Sequence, residues 1–174
     1  IGFFEKNGYC PKSVLDSMVI NLKHPSLPEE KPARFPRKGM IFRPLKHDET
    51  ERFISFLGKE FTESWHDQFS YLHTTGLLVH DEVLVMDDNG SFAGFAGPFH
   101  IAETGDTCGI GLGIASGLRG KGLGLALLHG IIEFVKKRGG TRITLFGAVD
   151  KINYYGKAGF VPGPVWMGME KNFL

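Results

Sequence analysis

The stretch from Cys108 to Gly140 restricts this chain most. It reads CGIGLGIASGLRGKGLGLALLHGIIEFVKKRGG: an apolar, glycine-rich run, a compact glycine turn carrying Arg119 and Lys121, then a helical pattern. From Leu123, the apolar residues Leu127, Leu128, Ile131, Ile132, Phe134 and Val135 recur at the three- and four-residue spacing of one buried helix face. Lys136, Lys137 and Arg138 close the last turn, where cations meet the negative end of the helix dipole, and Gly139 and Gly140 end it. A strand, a glycine loop and a helix are predicted. Arg142 to Ala148 then reads as a second strand, returned parallel to the first by a right-handed crossover through the helix.

A helix N-terminus presents unpaired backbone N–H groups and partial positive charge, and Gly117, Gly120, Gly122 and Gly124 would let a bulky anion approach them without meeting a Cβ. With Arg119 and Lys121 alongside, the loop reads as a phosphate or pyrophosphate site; a tight turn with solvated cations is the plainer alternative. A Walker A loop is ruled out, because Ala115 stands where its first glycine belongs and Gly122 where Ser or Thr must follow the lysine. A dinucleotide fingerprint fits poorly, since Gly111 and Gly113 are followed by Ser116 and the helix ends in cations rather than an acid.

Composition narrows the field. The chain has 174 residues, 42% of them hydrophobic, enough for one sizeable core but not for two full domains. A net charge of +1 supplies no basic field for nucleic acid. Cys10 and Cys108 form neither a zinc spacing nor a disulfide framework, which favours a reducing, cytoplasmic setting. There is no apolar run of about twenty residues and no signal-peptide pattern, so no membrane partner is expected.

The spacing Arg119-x-x-Gly122-x-Gly124 resembles the acyl-CoA pyrophosphate loop of the GNAT superfamily of N-acetyltransferases. Further on, Tyr155-Gly-Lys157-Ala-Gly159-Phe160 resembles that family's second signature, a tyrosine on a short helix leading through Gly-Phe into the last strands. Across Met40 to Leu174 the resemblance implies a mixed α/β fold, with a mostly antiparallel central sheet splayed after its fourth strand and flanked by helices. It also implies acetyl-CoA as acyl donor and a primary amine of a small molecule or peptide as acceptor. Carried over to these positions, Arg119, Gly120, Lys121, Gly122, Leu123 and Gly124 would hold the pyrophosphate, with Asn153 as a further polar contact. Leu112, Gly113 and Ile114 would bind the pantetheine arm like an added strand, the glycines at 109, 111 and 113 permitting close approach. Tyr155 would donate a proton to the leaving thiolate; its plainer role is a core plug.

Two departures stand out. The strand at 108–114 carries no carboxylate where many relatives have a base, leaving Glu103, Asp106 or a water chain; and Ala148 replaces an asparagine common before the short helix, where Asp150 is the available cap. These departures keep a second reading open, a non-catalytic CoA-binding or structural module beside a catalytic domain. No metal site is expected: His66 and His73 lack a third ligand.

The rest of the chain divides in three. Laid over the C-terminus at an offset of 151, Phe3-Phe4-Glu-Lys6-Asn-Gly8-Tyr9-Cys-Pro11 matches Tyr154-Tyr155-Gly-Lys157-Ala-Gly159-Phe160-Val-Pro162, and Val14, Met18 and Asn21 fall on Val165, Met169 and Asn172. Residues 1–22 therefore read as the tail of a preceding unit of the same kind, although two aromatic-rich segments can also resemble one another by chance. The apolar residues from Val14 to Leu22 predict a strand that adds to a sheet edge or packs on a neighbouring subunit or tandem unit. Pro25, Pro28, Pro32 and Pro36 make 23–39 a stiff linker. In the domain at 40–174, a strand at 40–45, helices from His47 and over 59–75, and a hairpin of 82–86 with 91–101 around Asp87-Asp88-Asn89-Gly90 precede the strand at 108–115.

Overall fold

A computed structural model describes residues 2–23, 39–147 and 151–171; the linker at 24–38 and the positions of Ala148 and Asp150 lie outside the described residues. The elements are α1 (Gly2–Lys6), β1 (Cys10–Leu15), β2 (Ser17–Asn21), β3 (Met40–Pro44), α2 (Thr50–Glu60), α3 (Glu63–Thr74), β4 (Leu84–Asp88), β5 (Ser91–Ile101), β6 (Asp106–Ile114), α4 (Leu123–Lys137), β7 (Arg142–Phe146), α5 (Ile152–Tyr155), β8 (Val161–Pro162) and β9 (Trp166–Glu170).

Local chemistry sets most boundaries. Asn89 and Gly90 both take positive φ, so the turn between β4 and β5 matches the right-handed twist of its strands. Leu123 to Lys137 is helical as its periodicity predicts, burying Leu123, Ala126, Leu127, Leu128, Ile131, Ile132, Phe134 and Val135 on one side. The helix expected over 59–75 is interrupted: α2 ends at Glu60, and Phe61 and Thr62 are extended before α3 begins. Phe61 sits at that break in ring contact with Phe56, Trp65 and Phe95, so aromatic packing overrides the helical pattern there.

The larger sheet has the order β3-β4-β5-β6-β7-β2-β8, and its pairings are antiparallel except β6 with β7. On one face α4 covers a core that includes Met18, Ile20, Leu127, Leu128, Ile131, Ile143, Tyr155 and Phe160. On the other, α2 and α3 close a second core of Phe53, Leu57, Phe69, Val85 and Phe95, in which Phe53 meets Phe69 and Phe95 edge to face. Arg43 ties β3 down, bonding Glu49 and Asp87 with its guanidinium.

The N-terminal segment departs from the single strand expected of it. It forms two strands around Asp16, and β2 lies inside the sheet, paired to β7 from Ser17↔Phe146 to Asn21↔Arg142 and to β8 at Met18↔Pro162 and Val19↔Val161. The chain's own last strand, β9, stays out of that sheet and pairs with β1 instead.

Candidate functional site

The sheet opens at β6. Its register with β7 runs only from Asp106↔Arg142 to Gly109↔Leu145, whereas its pairing with β5 continues to Ile114, so the far half of β6 has no partner on the β7 side among the described residues. The end of β6 and the start of α4 meet at this opening, where Ile114 and Gly122 to Leu125 line one cleft. This is the splay after the fourth strand of the domain.

At its mouth the N-cap of α4 is Gly122, in the left-handed conformation (φ 78°), and no side chain caps the first turn. Among the described residues, the first-turn N–H groups therefore have no side-chain partner. A left-handed N-cap with no Cβ turns the chain sharply into the helix while leaving its approach open. At Gly117, Gly120 and Gly122 an added Cβ would meet nothing within 4 Å. A cleft of about 420 Å³ opens in front of this helix end. Ile114, Leu118, Leu123, Leu125 and Tyr154 form its apolar wall; Arg119 and Lys157 are its cations, and Gly120, Gly122 and Gly124 its floor.

The loop is held from outside. The Arg119 Nε donates to the Ile114 carbonyl at 3.0 Å and its guanidinium reaches the Glu60 carbonyl at 3.4 Å, while Lys121 Nζ donates to the Gly117 carbonyl at 2.7 Å. The Glu60 carboxylate accepts both the Ser116 amide, at 2.7 Å, and the Ser116 hydroxyl, at 2.8 Å. Those two bonds hold the Glu60 carboxyl below its ordinary value. Nothing in the local sequence pointed to Glu60, which lies far away in the chain.

The predicted residues divide. Ile114, Arg119, Gly120, Gly122, Leu123 and Gly124 line the cleft; Leu112, Gly113, Lys121, Asn153, Tyr155 and Glu103 do not. Gly113 and Gly111 make room for aromatic rings rather than for a ligand: an added Cβ would run into Phe61 at 113 and reach Trp65 at 3.0 Å at 111. Glu103 is exposed in the turn before β6, at the opposite end of a strand about 25 Å long. Asn153 is exposed on α5. Among the described residues no cluster of His, Cys, Asp and Glu could hold a metal ion; His66 bonds Asp67 and His73 bonds Glu51.

The tyrosine pair is the largest surprise. Tyr155 is 7% exposed within the main core, 6.1 Å from the ring of Phe160, and its neighbour Tyr154 is the one that faces the cleft. The two rings lie 5.0 Å apart at 71°. Burial, and then the proximity of Tyr155, push the Tyr154 phenol up to about 12, so it is protonated throughout the neutral range. Its hydroxyl occupies the place a Cβ at Gly124 would take. Turning by one residue on a helical turn moves a side chain by about 100°, which is why a motif cannot say which of two adjacent tyrosines looks outward.

The family model for the acetyltransferase (GNAT) family matches residues 48–160. No protein of curated function matches the chain. Among solved structures, the glucosamine N-acetyltransferase region of a fungal multi-domain beta-N-acetylglucosaminidase superposes with a TM-score of 0.72 at 19% identity, over 97% of this chain and 22% of that one. An N-acetyltransferase from Sphaerobacter thermophilus gives 0.67 at 19% identity, over 95% of this chain and 53% of the other. AAC(6')-Iy, solved with the bisubstrate analogue CoA-S-monomethyl-acetylneamine, gives 0.54 at 13% identity, over 70% of this chain and 90% of that one. The chain thus spans little more than half of the Sphaerobacter protein and under a quarter of the fungal one.

Proposed function

We propose, from the premise that this chain belongs to the acetyltransferase (GNAT) family, that it is an acyl-CoA-dependent N-acyltransferase moving an acetyl group from acetyl-CoA to a primary amine of a small molecule or peptide. The observation that carries this reading is the uncapped start of α4, opening onto a cleft that is cationic on one side and apolar along the other. The amides from Arg119 to Gly124 would hold the pyrophosphate, with charge from Arg119 and Lys157. Ile114, Leu118 and Leu125 would flank the pantetheine arm beside the free edge of β6. The open space in front of Gly117, Gly120 and Gly122 fits a group of that bulk.

The thioester supplies an acyl carbon open to attack by an amine. Tyr154, a neutral phenol on the cleft wall, is positioned to donate a hydrogen bond to the sulfur as charge develops there. Tyr155 stands where the family motif has its tyrosine, and its ring supports that of Tyr154. Among the described residues lining the cleft there is no carboxylate, so the amine loses its proton to water rather than to Glu103. That same absence favours the second reading, a module that binds CoA without turnover. A cytoplasmic setting suits a CoA-dependent enzyme, and no helix among the described residues is long and apolar enough to cross a membrane.

Titration calorimetry with acetyl-CoA, followed by a panel of amines led by amino sugars because one relative is a glucosamine N-acetyltransferase, tests both readings. Binding that weakens about tenfold in Lys157→Ala, together with turnover of at least one amine, is the expected result. Binding without turnover leaves the CoA-binding module; no binding by the folded protein removes both CoA readings and leaves a structural module beside a catalytic domain.

A further inference from the structure

The match between the two ends of the chain extends to their three-dimensional bonding. At an offset of 151, the bond from the Tyr9 amide to the Phe4 carbonyl becomes the one from Phe160 to Tyr155, and that from Gly8 to Glu5 becomes that from Gly159 to Gly156. Gly8 and Gly159 share positive φ, 79° and 90°. The ring pairs correspond: Phe3–Phe4 and Tyr154–Tyr155 are edge to face at 5.6 and 5.0 Å, and Phe4–Tyr9 and Tyr155–Phe160 at 5.7 and 6.1 Å.

The strand registers agree as well. Shifting the β2–β8 pairs Met18↔Pro162 and Val19↔Val161 by 151, each residue onto its counterpart, yields Met169↔Pro11 and Glu170↔Cys10, which are the observed β9–β1 pairs. The chain thus contains one arrangement twice, related by exchange of its two ends: β1 stands for β8, and β2 for β9. In one instance the arrangement is complete, because the other edge of β2 pairs with β7 and α4 lies over it. In the other, among the described residues, it ends at β9.

One buried ring of the complete instance is bare in the other, and exposed apolar side chains surround it. Tyr155 is 7% exposed and its counterpart Phe4 46%; Phe3 is 74% exposed, and Trp166 and Met167 on β9 are 53% and 40%. A two-stranded sheet with both faces in water is marginal on its own, and an open strand edge beside apolar side chains is a pairing surface.

We propose that the β1–β9 sheet is the rim of a second unit of this fold, joined ahead of α1 as residues 40–147 are joined ahead of α5. A strand equivalent to β7 in that unit pairs antiparallel with the free edge of β9, and a helix equivalent to α4 covers Phe4 and Tyr9. Each unit therefore closes its sheet with the other's last strand. A second copy of this same chain does not meet the requirement, because in every copy the edge of β7 is already taken by β2.

The test joins residues 39–151 of this sequence ahead of the full chain and compares the product with the full chain alone by hydrogen exchange and sedimentation. In the chain alone we expect a monomer whose 166–170 amides exchange fast; in the fused protein those amides slow by about a hundredfold. A dimer of the chain alone with protected 166–170 amides would make a second copy the occupant and overturn the proposal. So would a fused protein whose added helix is protected while 166–170 exchange unchanged. If the added unit fails to fold, the peptide spanning 140–147 replaces it: at millimolar concentration it should shift the NMR signals of 166–170, and no shift refutes the pairing.

Discussion

Replacing Ile20 by alanine asks whether the N-terminal segment is part of the core or an appendage to it. Ile20 is 1% exposed, lies opposite Ile143 in the β2–β7 ladder, and belongs to the core cluster that α4 covers. Truncating a fully buried isoleucine removes its transfer free energy and leaves a cavity, about 2–5 kcal/mol together. The site lies in the β2–β7 ladder within the core that α4 covers, so little collapse into the cavity is available and the upper half of that range is expected. With a urea slope of about 2 kcal/mol/M, the midpoint should fall by about 1.8–2.5 M, a large part of the stability of an ordinary domain. Val14→Ala is the internal control. Val14 sits on β1, in the same segment, but is 65% exposed, so its loss should stay within about 0.5 kcal/mol. Equal midpoints for Ile20→Ala and the parent chain would show that β2 does not hold the sheet together, and the placement of the N-terminal segment would have to be abandoned.

Gly124→Val drives a side chain into the Tyr154 hydroxyl; in a variant whose circular dichroism is unchanged, acetyl-CoA affinity by calorimetry should fall at least about tenfold as the ring is pushed into the cleft. Tyr154→Phe should lower turnover by about a hundredfold with little change in CoA affinity, and Tyr155→Phe should match it only if the buried phenol takes part in proton transfer; steady-state kinetics on an amine substrate separates the two. Burial alone would raise the Glu49 and Asp87 carboxyls, but bonds from Arg43, and for Asp87 from the Gly90 amide, outweigh it and hold both below their ordinary values. Their contribution to stability is therefore complete above about pH 4.5 and is lost as pH falls through the folded values. Urea midpoints between pH 6 and 3 should drop in the parent and drop less in Arg43→Met, where Arg43 no longer opposes burial but the Gly90 amide at Asp87 and Arg52 at Glu49 still do.

Much of the fold could be read directly from the residues. Leu123 to Lys137 declared itself by a periodicity that needs no partner, and the Asn89-Gly90 turn by backbone preferences that act within a few residues. The loop was legible for the same reason: glycines beside a helix start and two cations are a local pattern, and five of its six predicted residues line the cleft. Long-range pairing was not. That β2 fills the place of the chain's own closing strand depends on which of two nearly equivalent strands reaches β7, and equivalence in sequence is what hides the choice. The glycines of β6 were expected to admit a ligand, but Phe61 and Trp65, brought over them by the break between α2 and α3, take that space. Tyr154 and not Tyr155 faces the cleft, because the docking of α5 against the core sets its rotation. Residue type and local spacing decided the elements and the kind of chemistry; packing between residues far apart in the chain decided which edges, faces and hydroxyls carry it, since burial and strand pairing are properties of neighbours that only the folded chain brings together.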